Sequence, residues 1–198
     1  LIVKRLFDLV ASGLGLLLLA PMLLAIALAI KLESPGPVFF RQERVGRFGK
    51  PFRIHKFRTM VTDAERRGLQ ITVGADARVT RVGGVLRKYK LDELAQLIDV
   101  FVGDMSLVGP RPEVPRYVAC YPADVRAIVL SVPPGITDWA SIEFKEENAM
   151  LGGAVDAERV YVEEILPVKL GYYVRYVRER SFMMDVRIIL ATLAAVVR

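Results

Sequence analysis

Leu9–Ile30 reads LVASGLGLLLLAPMLLAIALAI, and its only polar side chain is Ser12. Coiled into a helix, about 22 residues rise roughly 33 Å, enough to cross the hydrocarbon core of a bilayer. Pro21 stands near the middle of the run. It lacks an N–H and crowds the carbonyl four residues earlier, which predicts a kink or break and two legs of roughly 15 to 18 Å, each about half a bilayer core. Lys4 and Arg5 precede the run, and Lys31, Arg41, Arg44 and Arg47 follow it. Cationic flanks favour the cytoplasmic side. A re-entrant helix that breaks at Pro21 and returns to the face it entered satisfies both flanks, and is preferred to a single spanning helix. Ala27-Leu28-Ala29 could pass as a signal-peptide cleavage site, but the apolar run is too long and basic residues follow it.

Around that segment the 198 residues are 53% hydrophobic and 25% charged, with a mean hydropathy of +0.35, so the apolar residues are clustered, mainly at the two ends. The expected organisation is a membrane helix over 1–33 and one further domain over 34–198. A formal charge of +6 points to anionic partners: nucleic acid, anionic lipid or phosphorylated substrates. The single cysteine, Cys120, excludes an intrachain disulfide and reads as a small buried hydrophobe.

Glu33-Ser34-Pro35-Gly36-Pro37 stops the membrane helix and redirects the chain. Val38–Gln42 and Pro51–Phe57 flank a glycine-containing loop as a hairpin would. Arg41, Arg44, Arg47, Lys50, Arg53, Lys56 and Arg58 interleave with phenylalanines there. That composition suits nucleic acid, but beside a membrane segment it equally suits lipid headgroups and a phosphorylated substrate. His55 has no ligand partners in sequence and reads as a strand residue. A helix is expected around Thr62–Arg67, followed by a loop at Gly74. Leu91, Leu94, Leu97, Ile98 and Phe101 predict a short amphipathic helix with Asp92 and Glu93 in its first turn. Gly109-Pro110-Arg111-Pro112 predicts a rigid extended loop that gives Arg111 little freedom, and Val132–Ile136 another turn. Asp156–Ile165 reads as helix. The tail from Pro167 reads as amphipathic helices, lying on a membrane surface or packed against the domain's own core. The fold class is α/β, mostly α with a small β-hairpin.

Acids in a first helical turn are common because they complement the positive helix end. Arg87, Lys88 and Lys90 before the pair and Arg111 after it add groups that bind phosphate. Two carboxylates among cations also suit a hard ion such as Mg²⁺, which takes one or two carboxylates plus phosphate oxygens. Together these parts describe phosphoryl transfer, in which a carboxylate attacks phosphorus and divides one displacement into two.

At Ser34–Arg44, Lys56-Phe57-Arg58-Thr59-Met60, Leu91-Asp92-Glu93-Leu94 and Ser106–Pro112 the chain resembles the bacterial sugar transferases, or monotopic phosphoglycosyl transferases, over nearly its whole length. The resemblance implies a re-entrant helix and an active site on the cytoplasmic face of the bacterial inner membrane. It also implies Mg²⁺ and transfer of a sugar 1-phosphate from a UDP-sugar to undecaprenyl phosphate with release of UMP, as in glycoconjugate and exopolysaccharide synthesis. Asp92 matches the family nucleophile and, with the substrate, the metal site; Glu93 matches its partner. Arg87 and Arg111 match phosphate-binding arginines, Pro110 to Pro112 match the Pro-Arg-Pro element of the family, and Lys56 and Arg58 match a basic motif; the resemblance counts all of these as substrate-binding. Ala20 stands where the family usually has serine, and Ala95 where it usually has proline. The sequence resembles the short form of the family; membrane lipid is an expected partner, nucleic acid is not, and homo-oligomerisation stays open. The rival readings are a membrane-anchored binding protein without catalysis and a lipid-linked nucleotidyl transferase.

Overall fold

The computed structural model describes residues 2–64 and 76–197. The helix expected around Thr62–Arg67 and the loop at Gly74 fall largely outside them. Helix α1 spans Ile2–Glu33 and continues through Pro21, so the expected interruption into two helices is not seen. A proline removes only its own N–H from the ladder, and the remaining hydrogen bonds carry the helix past it. The packing of α1 is inside out. Asp8 and Ser12 are buried with Ile26 and Ile30, while Leu14, Leu17, Leu18, Leu24, Leu28 and Leu32 face outward.

The expected hairpin forms as two short antiparallel ladders. Strand β1 (Phe39–Phe40) pairs with β4 (Lys56–Phe57), and β2 (Glu43–Val45) with β3 (Pro51–Arg53). A one-turn 3-10 segment, Arg47–Gly49, closes the hairpin, with Phe48 and Gly49 both at positive φ. Helix α2 (Arg81–Lys88) is capped by the Thr80 hydroxyl, which accepts from the Gly83 amide. A Cβ on Gly83 would lie 2.1 Å from the Thr59 carbonyl, so only glycine lets α2 sit against the chain leaving β4.

The amphipathic helix expected at Leu91–Phe101 forms as a 3-10 segment, Leu91–Gln96, running into α3, Leu97–Val102. Its polar row is the buried one: Asp92, Gln96 and Asp99 are almost fully enclosed. Leu97 and Phe101 instead lie against Gly15 and Gly13 of α1. Strand β5 (Ser106–Val108) pairs in parallel with β6 (Gly135–Thr137).

The rest is helical: α4 (Pro115–Val118), α5 (Ala123–Val129), α6 (Trp139–Glu143), α7 (Glu147–Gly152), α8 (Ala157–Val160), α9 (Leu166–Glu179) and α10 (Phe182–Val197). A π turn, Tyr161–Ile165, joins α8 to α9 inside the helix expected at Asp156–Ile165. Of the two readings of the tail, α9 takes the packed one: Leu166, Leu170 and Tyr173 enter the main core with Val114, Tyr117, Val118 and Tyr161. Helix α10 buries Ile188 beside Val108 and Tyr176 but leaves Phe182, Met183, Leu190 and Leu193 exposed.

Candidate active site

The 3-10 start at Leu91 sets the site. Lys90 ends the preceding turn at φ 56°, a conformation disfavoured for L-residues, and such strain collects at functional positions. With three residues per turn, Asp92 and Glu93 project about 120° apart. Asp92 turns inward and is 2% exposed, whereas the Glu93 side chain is 15% exposed. Lys56 on β4 reaches both: its Nζ lies 3.0 Å from Asp92 Oδ2 and 3.1 Å from Glu93 Oε1. Arg111 donates to both Glu93 oxygens, Nη1 to Oε2 at 3.0 Å and Nη2 to Oε1.

Burial alone would raise the Glu93 pKa, but Arg111 and Lys56 outweigh it and hold the carboxyl well below the usual range. The Glu93 carboxylate in turn holds the Arg111 guanidinium well above its ordinary value. Arg87, in the last turn of α2, faces the same field: burial lowers its pKa, and the charge of Asp92 is the largest counterweight.

The structure thus brings Asp92, Glu93, Lys56 and Arg111 into contact and sets Arg87 within electrostatic reach. Pro110 and Pro112 are buried either side of Arg111 and act as framework. The Pro110 carbonyl accepts from the Gly135 amide, and Gly109 and Gly135 approach so closely that a Cβ on Gly135 would lie 2.0 Å from the Gly109 nitrogen. Arg58 is placed elsewhere. Its buried guanidinium donates to the carbonyls of Ser34 (2.9 Å) and Pro35 (2.7 Å) and to the Ser34 hydroxyl, closing the C-terminal end of α1.

Two polar networks escaped sequence reasoning. Behind the Arg111 loop, Arg44 donates to the Pro112 carbonyl, and Glu113 lies between Arg44, the Tyr161 hydroxyl and Lys169, which also pairs with Glu147. His55 lies between β3 and β4 and not within a strand; its Nδ1 donates to Asp99, and Arg41 donates to its Nε2. A polar residue recurring inside an otherwise apolar helix, as Asp99 does in α3, was the available signal. Of the basic run, Arg41, Arg44, Arg47, Lys56 and Arg58 are engaged within the fold.

No group of three or more metal-binding side chains occurs among the described residues. Asp92 and Glu93 offer hard oxygens that fit an ion sharing phosphate oxygens, not one caged by protein alone.

The family described as bacterial sugar transferase matches residues 1–198. The chain is 39% identical over 98% of its length to a UDP-N-acetylgalactosamine-undecaprenyl-phosphate N-acetylgalactosaminephosphotransferase of Aeromonas hydrophila, covering 43% of that protein. It is 39% identical over 96% of its length to a UDP-glucose:undecaprenyl-phosphate glucose-1-phosphate transferase of Escherichia coli, covering 39% of it. A protein of the same description from Caulobacter vibrioides is 40% identical, with 96% of this chain and 67% of the relative aligned. The chain therefore spans about two fifths of the length of the first two relatives.

Proposed function

The chain belongs to the bacterial sugar transferase family, and on that premise we propose that it transfers a sugar 1-phosphate from a UDP-sugar to undecaprenyl phosphate, releasing UMP. The observation that carries the reading is the buried Asp92, joined through Lys56 to a Glu93 that is itself forked on Arg111. The relatives' names differ in their sugar, N-acetylgalactosamine or glucose, so the shared part is the sugar phosphate and the lipid acceptor.

The reaction runs in two displacements. A carboxylate oxygen of Asp92 bonds to the β-phosphorus of the UDP-sugar while the bond from that phosphorus to the bridging oxygen breaks, and UMP leaves with the electron pair. A phosphate oxygen of undecaprenyl phosphate then bonds to the same phosphorus, and the Asp92 carboxylate departs unchanged. Lys56 and Arg111, in contact with the two carboxylates, and Arg87, within their field, are the cations that would offset the negative charge spread over the phosphoryl oxygens. With Arg111 and Lys56 holding its pKa down, Glu93 is a weaker proton acceptor than an ordinary carboxylate. None is required, because a phosphate monoester with a second pKa near 6 is already largely dianionic. Glu93 instead orients Lys56 and Arg111. Mg²⁺, held by Asp92 and the diphosphate, would supply neutralisation of the phosphate oxygens.

The membrane reading rests on the two ends of α1. Lys4, Arg5 and Asp8 at one end and Ile30 and Ser34 at the other bond to the same domain. That shared attachment supports a re-entrant α1 with both ends on one face, which the cationic flanks make the cytoplasmic face of the inner membrane, with the outward leucines of α1 and the open face of α10 toward lipid.

The test is to incubate the protein with single UDP-sugars before any lipid is added. Stoichiometric UMP and a matching mass increase on the peptide containing Asp92 are expected, both lost in Asp92→Asn and in excess chelator. UMP release only when lipid is present, with no adduct, would replace the two displacements by one direct transfer. No UMP with any UDP-sugar and lipid would remove the transferase reading.

A further inference from the structure

The first two turns of α1 do more than enter lipid. Asp8 is 3% exposed, and its carboxylate accepts from the Ser106 hydroxyl at 2.8 Å and from the Leu107 amide at 3.1 Å. One turn earlier, Lys4 donates to the Val108 carbonyl at 3.1 Å and to Asp185 of α10 at 2.6 Å. The Tyr176 hydroxyl of α9 completes the group, 3.1 Å from the Val108 carbonyl and 2.8 Å from Asp185. All three residues of β5 are thus held from the membrane helix, in addition to the pairing of Ser106 and Val108 with β6.

Strand β5 leads directly into Gly109-Pro110-Arg111-Pro112, where two prolines and the close approach of Gly109 to Gly135 leave little slack. A displacement of Val108 is therefore passed to Arg111, whose fork on Glu93 requires both nitrogens in place. We infer that Asp8 and Lys4 are positioning residues for Arg111, so that the membrane helix is part of the active-site scaffold as well as an anchor. The inference rests on the transferase reading for its kinetic consequence but not for its structural one.

Arg5 supplies the matched control. It binds the same helix to the domain, donating to the carbonyls of Val100 (2.6 Å) and Phe101 (2.8 Å), away from β5. The full chain in lipid nanodiscs would be compared as wild type, Asp8→Asn, Lys4→Met, Lys4→Arg and Arg5→Met. For Asp8→Asn and Lys4→Met, hydrogen exchange should accelerate in 106–112. The kcat for UMP release should fall about ten- to a hundredfold with KM for the UDP-sugar nearly unchanged, because misplacing a group that acts in the transition state costs rate. Lys4→Arg should restore most of the rate, and Arg5→Met should leave both readouts near wild type. Placed on Arg111→Lys, Asp8→Asn should cost little more, since the two act through one group. Unchanged exchange in 106–112, fully multiplicative losses, or an equal kcat loss in Arg5→Met would each overturn the inference. Should Asp8→Asn fail to fold, Lys4→Met carries the same test, because it leaves the Asp8 bonds intact. A wild type that released no UMP would count against the transferase reading, while the exchange comparison would still decide the positioning role.

Discussion

Glu93 carries the charge balance of the site, and its protonation gives a signature in stability. Burial pulls its pKa up, Arg111 and Lys56 pull it down further, and the net result lies well below the value of about 4.3 for an unfolded glutamate. A carboxylate depressed by folding stabilises the protein fully above the unfolded pKa, and loses that contribution as the pH falls through the folded one. The gap in thermal midpoint between wild type and Glu93→Gln should therefore be widest from about pH 5 upward and shrink as the pH drops below about 4. A gap that stayed constant to pH 3 would mean that the ion pair contributes nothing. Asp138 runs the other way: burial raises its pKa despite the bonds it accepts from Ser141, so its ionised form is disfavoured by folding. Its effect is present in both proteins and cancels in the comparison.

At the scale of elements, Arg58 and α1 form a unit, although the family resemblance counts Arg58 among the substrate-binding residues. The last carbonyls of a helix lack internal partners, and here a single buried guanidinium reaches that of Ile30 at 3.4 Å and takes up those of Ser34 and Pro35 just beyond the helix end. Arg58→Leu should lower stability by about 1–3 kcal/mol for the acceptors left unpaired, read as a drop in midpoint denaturant, while the KM of the folded fraction for UDP-sugar stays within about twofold. A large rise in KM at unchanged stability would return Arg58 to the substrate. The contrast shows what was legible. The apolar run, the hairpin, the 91–101 helix and the Asp92–Arg111 set lie in short windows where composition, period and turn residues speak. Asp8 with Ser106, Arg58 with Ser34, His55 with Asp99 and Glu113 with Tyr161 join residues 98, 24, 44 and 48 positions apart. No local period encodes such pairings, because each exists only once packing removes water from both partners. At Pro21 the local rule left a kink or a break open, and the helix runs on because one missing N–H removes a single rung of its ladder.

Over the whole molecule, α1 and α10 meet at the Phe7–Phe182 edge contact, 5.2 Å between centroids, and their outward faces continue the apolar surface. Cys120 is exposed just past the end of α4 and not buried as its sequence suggested, so in a background with it replaced by serine, Val3→Cys and Leu32→Cys sit at opposite ends of α1, both exposed. An impermeant maleimide should modify both from the cytoplasmic side and neither from the periplasm. Periplasmic labelling confined to Val3→Cys would make α1 a single spanning helix. The buried polar end of α1 also fixes an order of events during synthesis. Translation makes Asp8 98 residues before Ser106 and Lys4 181 residues before Asp185. At about 5–20 residues per second, those waits are about 5–20 s and about 9–36 s. Until its partners emerge, an unpaired carboxylate and ammonium keep that end in contact with water, since burying either alone is costly. The nascent helix is thus held shallow by its own charges, and it settles only when α10 arrives to neutralise Lys4.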